Sequence, residues 1–333
     1  MTINVFLNEI VQSTGYMDIE KRTLGEIRDL AECLGYVRET EFQWSSPERK
    51  IYVRLVDDIS SSVDLRYLKP QDVIITDNYI NHAVSCETIY LPNSWWGMYA
   101  YRPEKHDIQD LKDYSFLVNR VDESRLRLLL VLFKRKHLHE GVINFNCSTP
   151  ADLDTDDVEI KLKNWADCWE KLGPDLKKHY AGEYQRLTAK MPFCNHGFTH
   201  EQALWASRLN IVVETYSSDD VIAFSEKIFA ALCVPRAWTL FGGRYSVARL
   251  RRLGFDVLDD LVDHSYDYLT KIQDKYPYFV ECCLRSIVDP VKHRDRLEAA
   301  ALHNQNILHW WKRTMDKDFQ SWLDDLEKNL KIQ

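Results

Sequence analysis

No run of eighteen or more apolar residues occurs in this 333-residue sequence, so no segment reads as a transmembrane helix. The opening stretch, MTINVFLNEI, lacks the basic segment and apolar core of a secretory signal, which predicts a cytoplasmic protein of the producing or host cell. Glycine and proline are scarce, 11 and 10, and no low-complexity tract is present, which excludes collagen-like and disordered chains. The eight cysteines (Cys33, Cys86, Cys147, Cys168, Cys194, Cys233, Cys282 and Cys283) include no CxxC pair and no metal-ligand spacing. Neither a zinc site nor a disulfide framework is indicated, and buried, reduced thiols are expected. An excess of basic residues is also missing. With 43 Lys and Arg against 51 Asp and Glu, the net charge is −8, so the chain carries no global field for nucleic acid or an anionic membrane.

What is present is the composition of a globular protein, 45% hydrophobic and 28% charged, on a chain long enough for two cores. Short apolar runs rich in β-branched residues alternate with helical stretches, the pattern of an α/β fold with parallel sheets. Strands are predicted at Ile3–Leu7, Lys50–Val56, Asp72–Thr76 and Thr88–Leu91, with a helix at Thr23–Leu34 ended by Gly35. A polar stretch near Tyr101–Lys112 precedes a second series. Its strands are Tyr114–Val118, Gly141–Asn146, Leu209–Glu214 and Ala237–Phe241; its helices are Glu123–Arg135, Trp165–Tyr184 broken at Gly173-Pro174, Ser225–Leu232 and Ser246–Leu253. From Val291 to Leu330 the pattern is helical. The expected organisation is therefore residues 1–112, residues 113–290 and a helical tail over 291–333. Two Rossmann-like domains facing across a cleft would place a ligand at the carboxyl ends of the strands.

Two segments carry chemistry. In the first, a strand runs into Asn119-Arg120, and a helix follows with Arg125 and Arg127 near its start. An arginine at a strand end beside a helix N-terminus offers an anion a bidentate fork and free backbone N–H groups. The alternative is an arginine paired with Asp122 or Glu123. In the second, a strand ends at Glu214, and Ser225-Glu226-Lys227 opens a helix with Ser225 as N-cap. There a carboxylate can accept from a ribose diol and an ammonium can neutralise a diphosphate; the alternative is a solvated first-turn pair. Gly242-Gly243 is too short for a dinucleotide fingerprint and reads as a tight strand-to-helix turn that lets a ligand approach the backbone. His264 reads as a satisfied histidine before it reads as a base, and the acidic run holding Asp152 and Asp154 as a loop.

The run SEKxFxALxxP, followed by GG, LRxLGFD and DxSYD, resembles the donor-site segment of a glycosyltransferase family that uses nucleotide sugars. That family is common in viral and bacterial genomes and is related to the alpha-1,3-fucosyltransferases. The segment NR…SRLxLLxxLxKRxxLxxGxINF resembles the other half of the same donor site, and the two stand in the expected order over residues 114–270. This chain has Ala230-Ala231 where the family has Lys-Pro, and a shorter spacer before Pro235. The resemblance implies a GT-B fold, with the nucleotide sugar as co-substrate and neither a metal nor another cofactor. It makes Arg120 and Lys227 the diphosphate contacts, Glu226 the ribose contact, and Glu214 and Tyr216 parts of the same pocket. An inverting transfer to a glycan hydroxyl would also need a carboxylate base, and Asp77, directly after the strand DVIIT, is the best placed. The rival readings are transfer to a modified base of DNA and a nucleotide-sugar-binding protein without catalysis.

Overall fold

The computed structural model describes residues 37–38, 42–45, 50–54, 73–76, 79–80, 87–90, 106, 111–117, 122–135, 141–144, 163, 165–190, 200–214, 221–269 and 272–310. The chain divides into two compact units. One comprises residues 1–101, 220–226 and 306–333; the other comprises residues 102–219 and 227–305. The expected strand Ile3–Leu7 and helix Thr23–Leu34 lie outside the described residues. Among the described residues no helix is long and apolar enough to cross a membrane.

The first unit holds a five-stranded sheet built from β1 (Val37–Arg38), β2 (Phe42–Ser45), β3 (Lys50–Arg54), β4 (Val73–Thr76) and β6 (Glu87–Tyr90), in that order. The three expected strands are β3, β4 and β6, and they run parallel. The sheet as a whole is mixed, because β1 and β2 join it antiparallel. These two are short and carry little periodic pattern, so pairing, of β2 with β3 and of β1 with β2, and not their own sequence, decides them. A separate antiparallel pair joins β5 (Tyr79–Ile80) to β10 (Val221–Ile222).

The second unit is an α/β layer around a fully parallel sheet of β7 (Lys112–Leu117), β8 (Gly141–Asn144), β9 (Ser207–Val213) and β11 (Ala237–Phe241). All five residues of β11 and six of seven in β9 are buried, as expected for strands covered on both faces. One polar side chain is built into that core. Asn210 of β9 accepts from Ser115 Oγ of β7 at 2.6 Å and from Ser207 Oγ at 2.8 Å, and donates to the Leu204 carbonyl at 3.3 Å. A buried amide satisfied in this way fixes the β7–β9 register, because a slipped strand would leave it unpaired. The helices are α1 (Glu123–Lys134), α2 through 165–171, α3 (Pro174–Lys190), α4 (His200–Trp205), α5 (Glu226–Leu232), α6 (Ser246–Arg252), α7 (Ile272–Arg285) and α8 through 294–310. The break at Gly173-Pro174 falls between α2 and α3, where proline starts the new helix with no amide to lose. The sequence pattern predicts no helix at α7. Pro277 interrupts it, yet Tyr276, Phe279, Val280 and Cys283 form a buried stripe at helical spacing.

The order of the sheet is β11-β9-β7-β8, so β11 is an edge strand with backbone groups facing away from β9. A chain of side chains meets one amide of that edge. The amide of Leu240 donates to Tyr266 Oη at 2.9 Å; Tyr266 lies 3.1 Å from His264 Nδ1; and His264 Nε2 lies 2.7 Å from the Val257 carbonyl. The arrangement satisfies every member only with a neutral imidazole, Nε2–H donating to Val257 and Nδ1 accepting from the tyrosine hydroxyl. Burial accordingly pushes the His264 imidazole down to about 4, against the hydrogen bond to Val257. His264 is the satisfied histidine its sequence context suggested.

Because the folded state holds His264 below its ordinary value near 6.5, its contribution is complete above that pH and is lost as pH falls from 6.5 towards 4. The loss should approach about 1.4 kcal/mol per pH unit in that window. Buried Asp267 works in the opposite sense, since burial lifts its carboxyl. The check is therefore a comparison of unfolding free energies at pH 6.5 and 4.5 for the natural chain and for His264→Gln. The variant should be less stable at pH 6.5 and should lose less on acidification; equal slopes would remove His264 as the cause.

Candidate functional site

In an open parallel sheet a ligand sits beyond the carboxyl ends of the strands, where the strand order reverses. Here the connection from β7 leads to β8 on one side, while the connection from β9 leads to β11 on the other. The reversal lies between β7 and β9, and the side chains at their carboxyl ends define the candidate site.

Arg125 of α1 spans this point. Asp122 is the N-cap of α1, accepting from the Arg125 amide at 2.9 Å, while its second oxygen forms an ion pair with the Arg125 guanidinium. The other terminal nitrogen of that guanidinium donates to the carbonyl of Val213, the last residue of β9, at 3.0 Å. The Arg125 side chain is entirely buried. Arg127, one face over, pairs with Glu123 and lies 5.4 Å from the Tyr276 ring centre on α7. Both arginines at the start of α1 thus pair with its acidic residues, whereas the strand-end arginine, Arg120, lies outside the described residues.

Glu214, one residue beyond β9, is 1% exposed, and its amide donates to the Phe241 carbonyl at 2.9 Å. A carboxylate so nearly removed from water needs polar partners to stay charged. Next to it the chain leaves β11 through Gly242-Gly243 and enters α6. A Cβ added at Gly242 would stand 2.9 Å from Ser246 Oγ and 3.6 Å from Glu214 Cγ. The close approach at this glycine is therefore made by the chain's own Ser246 and Glu214. Ser246 Oγ donates to the Gly243 carbonyl at 2.6 Å, and Lys275 Nζ of α7 donates to the Gly242 carbonyl at 2.7 Å. Lys275 is buried and lies 5.1 Å from the centre of the Phe241 ring. Asp267 completes the turn, accepting from the amides of Val247 at 3.2 Å and Ala248 at 2.9 Å, the first free donors of α6. Burial raises the Asp267 carboxyl, opposed by those two amides and by the charge of Lys275.

Of the expected site residues, Glu214 and Gly242 are brought together at this edge, and Gly243 lies beside them. Ser225 directly precedes α5, in the N-cap position, and Glu226 and Lys227 are its first two residues. Glu226 is half-buried and Lys227 is buried. The division of the chain into two units falls between them. Asp77, Arg120 and Tyr216 lie outside the described residues, as do Asp152 and Asp154. Lys275 and Asp267 join the edge without having been singled out; Asp267 was legible only as part of the DxSYD run, and Lys275 was hidden by the proline two residues on. Among the described residues no group of three or more His, Cys, Asp or Glu side chains is arranged to hold a metal ion. Cys168, Cys233, Cys282 and Cys283 are free thiols, and burial pushes Cys233 up to about 12.

No family model, no curated protein and no solved structure matches this chain.

Gly242→Ala should cost about 1–3 kcal/mol of stability, the usual range for overpacking a filled interior. The first obstacle is Ser246 Oγ, so Ser246→Ala in the same chain should recover part of that loss. Chemical denaturation of the two single variants and the double variant checks this; strict additivity would show that the contact at Gly242 is not the cause.

Proposed function

We propose that this chain is a glycosyltransferase that moves a sugar from a nucleoside-diphosphate donor to an acceptor hydroxyl, with a GT-B-like organisation. The observation that carries the reading is the reversal of strand order between β7 and β9, with Glu214, Gly242 and Gly243 gathered at the carboxyl edge beside it. Fully parallel sheets use this position to bind nucleotides. The two sequence segments that resemble the donor site, around Arg120 and around Glu226-Lys227, flank this same sheet in the chain.

In this mechanism Lys227 and Arg120 bear on the diphosphate, and Glu226 on the ribose. As the glycosidic bond breaks, the leaving nucleoside diphosphate gains negative charge. A fixed ammonium and guanidinium stabilise that charge without reorganising, so the chemistry needs no metal in principle. The acceptor hydroxyl gives its proton to a carboxylate, the role assigned to Asp77. Glu214 acts as a wall of the pocket rather than as the base.

The reading is tested by thermal unfolding of the full chain against a panel of nucleoside diphosphates and nucleotide sugars. A ligand at one hundred times its dissociation constant should add about 2.7 kcal/mol of stability. Lys227→Ala truncates a buried side chain and should lower the unliganded midpoint; measured from that new midpoint, most of the ligand-induced shift should be gone. No shift with any member of the panel would sink the proposal. A shift without release of nucleoside diphosphate in the presence of acceptors would leave a binding protein in place of a transferase.

A further inference from the structure

Six large apolar or aromatic side chains are exposed among the described residues, and three of them are tyrosines of one surface: Tyr245 at 37%, Tyr268 at 52% and Tyr278 at 38%. The rings of Tyr245 and Tyr268 meet edge to face with centres 5.9 Å apart. Tyr268 ends a single 3-10 turn, Ser265–Tyr268, and Ser265 Oγ at its start lies 2.9 Å from Tyr278 Oη. Two of the rings therefore meet directly and the third is joined through its hydroxyl to the turn that carries Tyr268, unlike the isolated exposed apolar side chains that any protein surface carries.

Each tyrosine is accompanied by an arginine. The Arg244 guanidinium stands 4.4 Å from the centre of the Tyr245 ring, Arg251 donates to Tyr268 Oη at 3.4 Å, and the Arg285 guanidinium stands 5.8 Å from the Tyr278 ring. Two of the three are in turn gripped by aspartates. Arg251 gives Nε and one terminal nitrogen to Asp259 at 2.8 and 2.6 Å, and Arg285 gives the same pair to Asp263 at 3.1 and 2.6 Å. The serine, the arginine and the local backbone hold the Asp263 carboxyl far below the usual carboxylate range, even though burial acts the other way. The backbone fixes the display as well. Tyr245 occupies the left-handed region at φ 68°, unusual for a side chain with a Cβ, and its amide is pinned to the Asp267 carbonyl at 3.1 Å.

Charge decides which occupant suits this surface. Residues 244–285 carry seven Lys and Arg and seven Asp and Glu, so the segment is electrically neutral. A polyanion draws its affinity from uncompensated arginine and lysine, and here aspartates already hold two of the three tyrosine-bound guanidiniums. An uncharged polyol gains from the same arrangement. Tyrosine faces cover the apolar faces of sugar rings, while guanidinium N–H groups donate to hydroxyls and carboxylates accept from them. We propose that Tyr245, Tyr268 and Tyr278, with Arg244, Arg251, Asp259, Arg285 and Asp263, form a binding surface for an uncharged oligosaccharide. The surface stands on its own residues, whether or not the donor reading holds; if it does hold, the oligosaccharide is the acceptor, engaged by the second unit.

The test uses the full chain, immobilised, and measures binding of neutral oligosaccharides of glucose, mannose, N-acetylglucosamine, xylose and galactose, with oligo-thymidylate and heparin as polyanions. At least one neutral oligosaccharide should bind, with an affinity that changes by less than about twofold on raising the salt, because no ion pairs are involved. The double variant Tyr245→Ala/Tyr268→Ala should weaken it by about tenfold or more, and Tyr245→Phe/Tyr268→Phe, which keeps both rings, should bind nearly as the natural chain does. If the double alanine variant does not fold, Tyr268→Ala alone, at the most exposed ring, carries the same expectation with a smaller loss. The proposal is overturned if no neutral oligosaccharide binds, or if the alanine variants bind as well as the natural chain. Tyrosine-dependent, salt-sensitive binding of oligo-thymidylate or heparin alone would equally overturn it. Nucleotide binding in the thermal test is read separately, so either reading can fall without the other.

Discussion

A guanidinium taken wholly out of water has to find fixed acceptors, and Arg125 finds them on two different elements. Asp122 caps α1 and pairs with the guanidinium, while the Val213 carbonyl ends β9. One side chain thereby ties the start of the helix after β7 to the end of its neighbouring strand, across the point where the strand order reverses. Removing Asp122 would take from the buried guanidinium the carboxylate it is paired with, and removing an ion-pair partner from a buried charge is destabilising. The carboxyl edge of the sheet, with Glu214 and the Gly242-Gly243 turn beside it, is built on that tie.

The rest of the edge follows the same logic of polar groups satisfied inside a dry interior. Asn210 holds the register of β7 and β9, the Tyr266–His264 relay meets one amide on the open side of β11, and Asp267 caps α6. Further out, Arg296 of α8 binds Asp256 and Asp260, and Asn304 of the same helix accepts from the Asp256 amide at 2.7 Å. Within the acidic run from Asp256 to Asp267, each aspartate therefore has a positive or N–H partner. Exposed pairs of this kind add little stability individually. Their consequence is a surface with its charges already matched, and that is why its exposed tyrosines suit a neutral ligand better than a nucleic acid.

The parallel strands were the most legible feature. β11 matches its expected span because AWTLF is a short apolar run ended by two glycines, and β9, expected over Leu209–Glu214, forms over Ser207–Val213 because LNIVV has no competing helical period. α1 was legible as a helix over Glu123–Arg135, and its Asp122 cap emerged only in the structure. α7 was not, because Pro277 breaks the local rule and only packing on α1 and the sheet makes the helix form. The antiparallel β1 and β2 were equally silent, having too few residues to show a period. At the site, Glu214 and Gly242 could be named as strand-end residues. That Arg125 and Arg127 pair with Asp122 and Glu123 emerged only from the geometry.

The sequence by itself determined the α/β class, the places of its apolar strands though not their ends, the absence of a long apolar segment and the neutral balance of residues 244–285. Each of these depends on order and composition along a few neighbouring residues. Tertiary structure alone decided the strand order, the reversal between β7 and β9, the burial of Lys275 under the Gly242 turn and the gathering of three tyrosines around one turn. Those facts join residues tens of positions apart, and chain-local preferences are silent about such pairs because their energy appears only when the distant partner arrives.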